Sequence, residues 1–337
     1  MAVLVTGGAG YIGSHTVIQL LNIGREVVIV DDLSNSSEKV IDRIEEISGK
    51  RPKFIKLNIL EEEKFQKVFE ENEIDSVIHF AGYKAVGESV AKPLAYYTNN
   101  LTSTLIVLNA MKKYNVRNFV FSSSATVYGE PETCPILETF PLSTASPYGA
   151  TKLMIEDMLR DICHADKDLN VAILRYFNPV GAHESGKIGE EPNGIPNNLM
   201  PYITKVAIGK LPILSVYGGD YETSDGTGVR DYIHVVDLAD GHLKALDKLE
   251  TNPGLVTYNL GTGKGYSVLD MVKAFSKACG HDIPYKIVER RPGDVPMCYA
   301  DSTKAKNELG WEAKYDLDRM CADSWRWQSN NPNGYND

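Results

Sequence analysis

A doubly wound α/β fold, an open parallel sheet with helices on both faces, is predicted by three observations. Short β-branched runs alternate with stretches of helical spacing through the first half of the chain. The first run opens into a cluster of glycines, and the second ends in an acid. Alternation of this kind builds a parallel sheet covered on both faces, with right-handed crossovers between its strands.

Taken in order, Ala2–Thr6 reads as a buried strand and Tyr11–Ile23 as a helix. Glu26–Asp31 is a β-branched strand ending in acid, and Lys53–Leu57 is another strand. Glu61–Glu71 puts Phe65, Val68 and Phe69 on one helical face. Asp75–Ala81 and Arg117–Ser123 are further strands, the long helical stretch Pro93–Tyr114 lies between them, and Val171–Phe177 is a sixth strand. After Asn178 the pattern loosens, and Gly and Pro are dense from Gly181 to Pro212. Val229–Leu246 reads as strand into helix and Ser267–Cys279 as helix. The expected division is a first domain over residues 1–178, rejoined by a segment around 230–260, and a smaller mixed α/β substrate lobe over 179–337. The tail Asn330–Asp337 is polar, with Pro and Gly, and predicts a frayed end.

Composition narrows the function classes. The 337 residues are 43% hydrophobic and 24% charged, which is the balance of a globular chain. A formal charge of −10 argues against a nucleic-acid surface, which needs a basic stripe, but leaves room for a local basic pocket. Cys134, Cys163, Cys279, Cys298 and Cys321 are scattered without paired spacing, so neither a disulfide framework nor a zinc cluster is expected. His79, His183 and His234 have no metal-ligand spacing, and no metal is expected. No apolar run approaches the ~18 residues of a membrane span, and no leader pattern precedes the first strand. The expected setting is the cytoplasm, with no membrane partner.

The glycines Gly7, Gly10 and Gly13 follow the first strand and open a helix. A turn of this kind lets backbone approach a pyrophosphate, which then rests on the helix N-terminus. Asp31 answers it at the end of the second strand, where a carboxylate bonds a ribose 2′-hydroxyl and repels a 2′-phosphate. The context makes this a Rossmann-type site and favours NAD over NADP. Asp32 strengthens the bias, although alone it reads equally as a solvated loop acid.

Ser122, Ser123 and Ser124 end the fifth strand, where open parallel sheets bind ligands. Downstream, Tyr148 and Lys152 stand four apart on one helix face. A free tyrosine titrates near 10, too high for a base at neutral pH. An adjacent ammonium and a cationic nicotinamide are expected to lower it. YxxxK alone is common by chance; with the glycine turn and the serine-ended strand it becomes specific.

At these residues the chain resembles the extended short-chain dehydrogenase/reductase family. The likeness runs through VTGGAGYIGSH, HFAGYKAVGESV, SSSATVYG, SPYGATK, RYFNPVGAH, GIPNNLMPYI, DGTGVRDYIHV and RRPGD, and so covers nearly the whole chain. Within the family it is similar to members that invert C4 of a UDP-hexose, interconverting UDP-galactose and UDP-glucose. The resemblance implies an NAD that is not consumed and a transient 4-keto sugar. It implies Tyr148, Lys152 and Ser124 as catalytic residues. It implies NAD contacts from Tyr11, Ile12, Asp31, Asn35, Ser36, Ile59, Phe80, Ala81, Gly82, Lys84, Asn99 and Phe177. Family members carry an acid near the adenine at position 58; here it is Asn58, which still accepts and donates. Substrate contacts are implied for Tyr176, Asn178, Asn198, Leu199, Ser215, Val216, Tyr217, Arg230, Arg291 and Asp294.

Cys298 stands where some members place a tyrosine in the sugar pocket. The smaller side chain implies room for a 2-acetamido group, hence UDP-GlcNAc and UDP-GalNAc as further substrates; the plainer reading is a small packed residue. Two other readings stay open. A nucleotide-sugar 4,6-dehydratase would carry Asp-Glu after the active-site hydroxyl residue, whereas Ser124 is followed by Ala125 and Thr126. A non-catalytic NAD-binding protein would have lost Tyr148 or Lys152. Apolar faces on Pro93–Tyr114 (Tyr97, Leu101, Leu105, Leu108) and around Met154, Met158 and Leu159 serve either as core or, by resemblance, as the helices of a homodimer.

Overall fold

The structure, a computed structural model, describes residues 1–291 and 294–336. Pro292 and Gly293 of the RRPGD stretch, and Asp337, lie outside the described residues. The first half runs β1 (Ala2–Thr6), α1 (Tyr11–Asn22), β2 (Glu26–Asp31), α2 (Lys39–Ser48), β3 (Lys53–Lys56), α3 (Glu62–Glu70), β4 (Ile74–His79), α4 (Val86–Ala91), α5 (Pro93–Lys113), β5 (Asn118–Ser124), α6 (Pro147–Ala165) and β6 (Asn170–Tyr176). The second half runs β7 (Asn178–Val180), α7 (Leu199–Ala207), β8 (Leu214–Tyr217), β9 (Val229–His234), α8 (Val235–Leu249), β10 (Leu255–Leu260), β11 (Gly265–Ser267), α9 (Val268–Cys279), β12 (Tyr285–Val288), β13 (Met297–Cys298), α10 (Thr303–Leu309) and α11 (Leu317–Asn330).

Seven strands form one sheet in the order β10-β6-β5-β4-β1-β2-β3, every pair parallel. Every residue of β1 and of β6 is buried, as expected for strands covered on both faces. The pleat sorts their side chains by turns. Val3 and Val5 of β1 face a core shared with Val17, Leu20 and Leu21 of α1, Ile41 and Ile44 of α2, and Leu238 of α8. Ala2 and Leu4 face the opposite core, with Phe65 of α3, Val107 and Met111 of α5, and Ile155 and Leu159 of α6. Strand order reverses at β1, which has β2 on one side and β4 on the other. In such a sheet the carboxyl ends part there and leave a crevice.

The rest forms a smaller lobe. In it β9 pairs with β7, β11 and β13, and β8 pairs with β12 in a separate ribbon. Its own core holds Met200, Ile203, Leu214, Val216, Met271, Phe275, Met320 and Cys321. The chain does not stay there. Leaving β9 it runs through α8, whose Leu238, Leu243, Leu246 and Leu249 join the first core. It then adds β10 to the main sheet, in register with β6 from Leu255↔Val171 to Leu260↔Tyr176.

One expectation needs correction. The tail is not frayed over its described part. Asn331 Nδ2 donates to the carbonyls of Gly186 and Trp327, at 2.8 Å each, and Tyr335 Oη donates to the Gly189 carbonyl at 3.0 Å. The Tyr335 ring lies 4.8 Å from that of Trp327. Polar composition hides this, because two well-placed side chains dock the segment. The apolar faces of α5 and α6 are divided between core and surface. Leu108 and Leu159 are buried in the second core, while Leu105 and Met154 are exposed, at 43% and 45%. Among the described residues no helix is long and apolar enough to cross a membrane.

Candidate active site

The crevice opens with the glycine turn. Gly7 has φ +70°, and a Cβ there would sit 2.8 Å from the Ala81 nitrogen; a Cβ on Gly13 would strike the Gly7 carbonyl. Only glycine lets β1, β4 and α1 close on each other this tightly. The cap of α1 is Gly10, which offers no side chain to the first-turn N–H groups, and no acid stands in that turn. These donors and the helix dipole are therefore open to an anion. At the end of β2, Asp31 accepts from the nitrogens of Ala9 (3.1 Å) and Leu33 (2.9 Å) and from Ser36 Oγ (2.9 Å). Burial pushes its pKa up, against the pull of these three bonds. Asn58 donates its amide to Asp32 at 3.0 Å and accepts from the Leu60 nitrogen at 2.9 Å. The amide found in place of an acid thus clamps the loop after β2.

Ser124, Tyr148 and Lys152 line the same crevice. β5 delivers Ser124, whose Oγ accepts from the Thr126 nitrogen at 3.2 Å. α6 begins with Ser146, whose hydroxyl caps the Gly149 nitrogen at 3.2 Å, and with Pro147 in the first turn, where it needs no N–H partner. That fixes Tyr148 at the helix start. One turn on, Lys152 Nζ donates to the Ser122 carbonyl at 2.6 Å and stands 4.9 Å from the Phe121 ring centroid and 5.9 Å from that of Tyr148.

The titration of this pair departs from expectation. Burial pushes the Tyr148 phenol up to about 12, against a hydrogen bond from Ser124 that pulls it down. Burial pushes the Lys152 ammonium down to about 8, with the Glu156 carboxylate acting the other way. The ammonium is aimed at a carbonyl, so in the protein alone the phenol is not made acidic. Beneath them lies a closed ionic network. Arg175 Nε and Nη2 donate to the two oxygens of Glu156 at 3.0 and 2.6 Å, and Ser123 Oγ donates to Glu156 at 2.6 Å. Arg175 Nη1 also meets Tyr128 Oη at 2.8 Å, and that hydroxyl donates to Asn259 Oδ1 at 2.6 Å. Glu156 and Arg175 are essentially unexposed, and such charges are tolerated because every partner is present.

The smaller lobe supplies the facing wall. Asp294 is held by Arg291 Nε at 2.9 Å and lies 3.8 Å from Arg230 Nη2. The Arg291 guanidinium sits 4.8 Å over the Tyr217 ring. Two arginines on one acid leave a net positive corner in an acidic protein, suited to phosphate oxygens. Cys298 on β13 is in register with Arg230 on β9, and burial pushes its thiol up to about 12. All the candidate residues named from the sequence, from Gly7 to Cys298, line one cleft of about 1670 Å³, more than a single small ligand occupies. Tyr176 lines it by its ring: its hydroxyl bonds His242 Nε2 in the interior. His242 is kept neutral by burial, with a pKa of about 4, and donates Nδ1–H to the Leu238 carbonyl. The cleft also includes Glu190, Asn193 and Tyr335, which carried no motif. Among the described residues no group of three or more His, Cys, Asp or Glu is arranged to hold a metal ion.

The chain was compared with known proteins. The family model described as GDP-mannose 4,6 dehydratase matches residues 4–324. A UDP-glucose 4-epimerase of Bacillus subtilis (strain 168) is 64% identical over 335 residues, 99% of each chain. The UDP-glucose 4-epimerase of Bifidobacterium longum, solved in complex with NAD+ and UDP, superposes with a TM-score of 0.96 at 57% identity, over 99% of this chain and 100% of that one. The enzyme of Stenotrophomonas maltophila, solved with NAD and formylated UDP-arabinopyranose, gives 0.96 at 49% identity, over 98% and 99%.

The depressed pKa of Lys152 makes a stability prediction. Between about 8 and the ordinary lysine value, the unfolded chain holds a proton at this site that the folded chain has lost. Raising pH through that window therefore favours the fold. Relative to Lys152→Met, the wild type should gain ~2 kcal/mol between pH 7 and pH 9.5 in urea unfolding. A pH-independent difference would contradict the depressed value.

Proposed function

The chain belongs to the extended short-chain dehydrogenase/reductase family, among the UDP-glucose 4-epimerases, and we propose that it interconverts UDP-galactose and UDP-glucose by NAD-dependent inversion at C4. The reading is carried by one observation. Ser124, Tyr148 and Lys152 share a single cleft with an uncapped, glycine-lined helix start on one side and a pair of arginines on the other.

A dinucleotide fits the first half of that cleft. The amides of Tyr11 and Ile12 suit its pyrophosphate, and Asp31, Asn35 and Ser36 suit the adenosine ribose. Asn58, Ile59, Phe80, Ala81, Gly82, Lys84 and Asn99 would line its length, and Lys152 and Phe177 its nicotinamide end. NAD, when bound, would accept the hydride from C4 and give it back to the keto carbon, and would add the positive charge that the Tyr148 phenol lacks in the protein alone. Tyr148 then takes the proton of the sugar 4-hydroxyl, Lys152 stabilises the phenolate, and Ser124 orients the substrate oxygen.

Inversion sets an unusual binding demand. The keto sugar must present its other face before reduction, so it must turn while the nucleotide end stays fixed. Arg230 and Arg291, held by Asp294, grip the diphosphate, with Asn198, Leu199, Ser215, Val216 and Tyr217 around the nucleoside. Binding energy from that non-reacting end keeps the intermediate in place. Asn178, the Tyr176 ring and Cys298 surround the sugar without a charged anchor. Dehydration of the same keto sugar would need an acid and a base beside Ser124, where Ala125 and Thr126 stand instead.

Three further readings belong to this proposal. Cys298 leaves space for a 2-acetamido group, so the N-acetylated UDP-hexoses are substrates as well. The exposed part of α5 and α6, with Leu94, Leu105 and Met154, receives a second copy of the chain. Its five free cysteines suit a reducing, cytoplasmic setting.

Pure protein given UDP-galactose, with no NAD added, should form UDP-glucose. Tyr148→Phe should keep dinucleotide and UDP binding and lose at least ~100-fold in turnover; a near-normal rate would mean another base. Wild type should turn over UDP-GlcNAc and Cys298→Tyr should lose that activity while retaining UDP-glucose; absence of N-acetyl turnover in wild type removes the claim. Sedimentation should give twice the chain mass, and a monomer at micromolar concentration would exclude the paired helices.

A further inference from the structure

Segment 189–197, which precedes Asn198 and α7, lines the cleft. On the far side Asn193 meets the loop after β2: its backbone nitrogen donates to Asn35 Oδ1 at 3.4 Å and its amide to the Ser34 carbonyl at 3.0 Å. Behind, the segment is held by α7 and by the C-terminal tail. Lys205 Nζ contacts both oxygens of Glu191 at 3.0 and 3.2 Å, and Tyr335 Oη bonds the Gly189 nitrogen and carbonyl at 3.2 and 3.0 Å.

The telling contact is at Glu190, whose side chain is only 10% exposed. One of its oxygens, Oε1, accepts from Lys84 Nζ at 3.3 Å and from Asn198 Nδ2 at 3.1 Å. Lys84 belongs to the main sheet's side of the cleft and Asn198 to the smaller lobe. Lys84 is half exposed, so its ion pair with Glu190 adds little to stability by itself. What the shared oxygen provides is geometry. Lys84 and Asn198 reach the same oxygen from the two sides of the cleft in this arrangement, and a carboxylate suits two simultaneous donors.

We propose that Glu190 is a positioning residue that couples the two ends of the cleft, so that UDP seated beside Asn198 holds the segment against Lys84 and retards escape of the dinucleotide. This rests on the proposed function, which puts both ligands in the cleft. Linkage makes the effect reciprocal: the factor by which UDP tightens dinucleotide binding is the factor by which the dinucleotide tightens UDP binding. Glu312, whose exposed ion pair with Lys306 at 3.0 Å does not line the cleft, serves as the control.

The test uses the protein as purified with its NAD. Released dinucleotide is trapped by excess alcohol dehydrogenase and ethanol and read as NADH absorbance, without and with saturating UDP. In wild type UDP should slow release about tenfold or more. In Glu190→Ala the slowing should fall below about twofold, and Glu190→Gln, which keeps an acceptor but loses the charge, should lie between. Glu312→Gln should behave as wild type. Titration calorimetry with UDP should show the same loss of coupling from the other side. A Glu190→Ala protein that keeps the wild-type response overturns the proposal, as does a wild type whose release UDP does not change. Should the alanine variant fail to fold, an unaltered response in Glu190→Gln overturns it equally. A wild type that carries no dinucleotide and binds no UDP would instead refute the underlying assignment of the cleft.

Discussion

Lys152 Nζ donates to the Ser122 carbonyl at 2.6 Å, and that bond joins the first turns of α6 to the end of β5. An ammonium out of water is costly unless its surroundings are arranged around it. Here they are. Glu156 lies one turn further along α6, and Arg175 and Ser123 hold that carboxylate from the two adjacent strands. Tyr128 and Asn259 extend the network to β10, so that two strands, a helix and the returning segment share one set of buried charges. Arg160 Nη2 adds a further donor to Glu156 at 2.7 Å, so the buried carboxylate is held from three elements.

The same burial acts on both members of the Tyr148–Lys152 pair. It drives phenol and ammonium toward neutrality together, one upward to about 12 and the other downward to about 8.

Much of this was legible before any coordinates. The continuous apolar run of β1, the glycines behind it and Asp31 at the end of β2 encode their neighbours locally, through period and turn chemistry. Tyr148 and Lys152 are readable because one helical turn brings them to one face. What escaped is what depends on distant partners. Strands of two to four residues, such as β8 and β13, are too short to show a period. The inward turn of the Tyr176 hydroxyl depends on His242, sixty-six positions away. The ammonium of Lys152 was expected to acidify the phenol, yet its direction is set by a backbone carbonyl that spacing does not reveal. The polar tail looked frayed because composition averages over Asn331 and Tyr335. Glu190 stands in no motif, and its three-way contact exists only once the two lobes face each other.

The return of α8 and β10 to the main sheet means that the two lobes are not beads on a string. A chain cut after β6 would keep the glycine turn, Tyr148 and Lys152, but would lose β10 from the flank of β6. Seven buried residues would then form a naked sheet margin, the kind of surface on which identical chains stack into aggregates. Evolution could graft a new loop onto either lobe, but could not shuffle the nucleotide-binding half as a cassette without first finding another strand to close that flank.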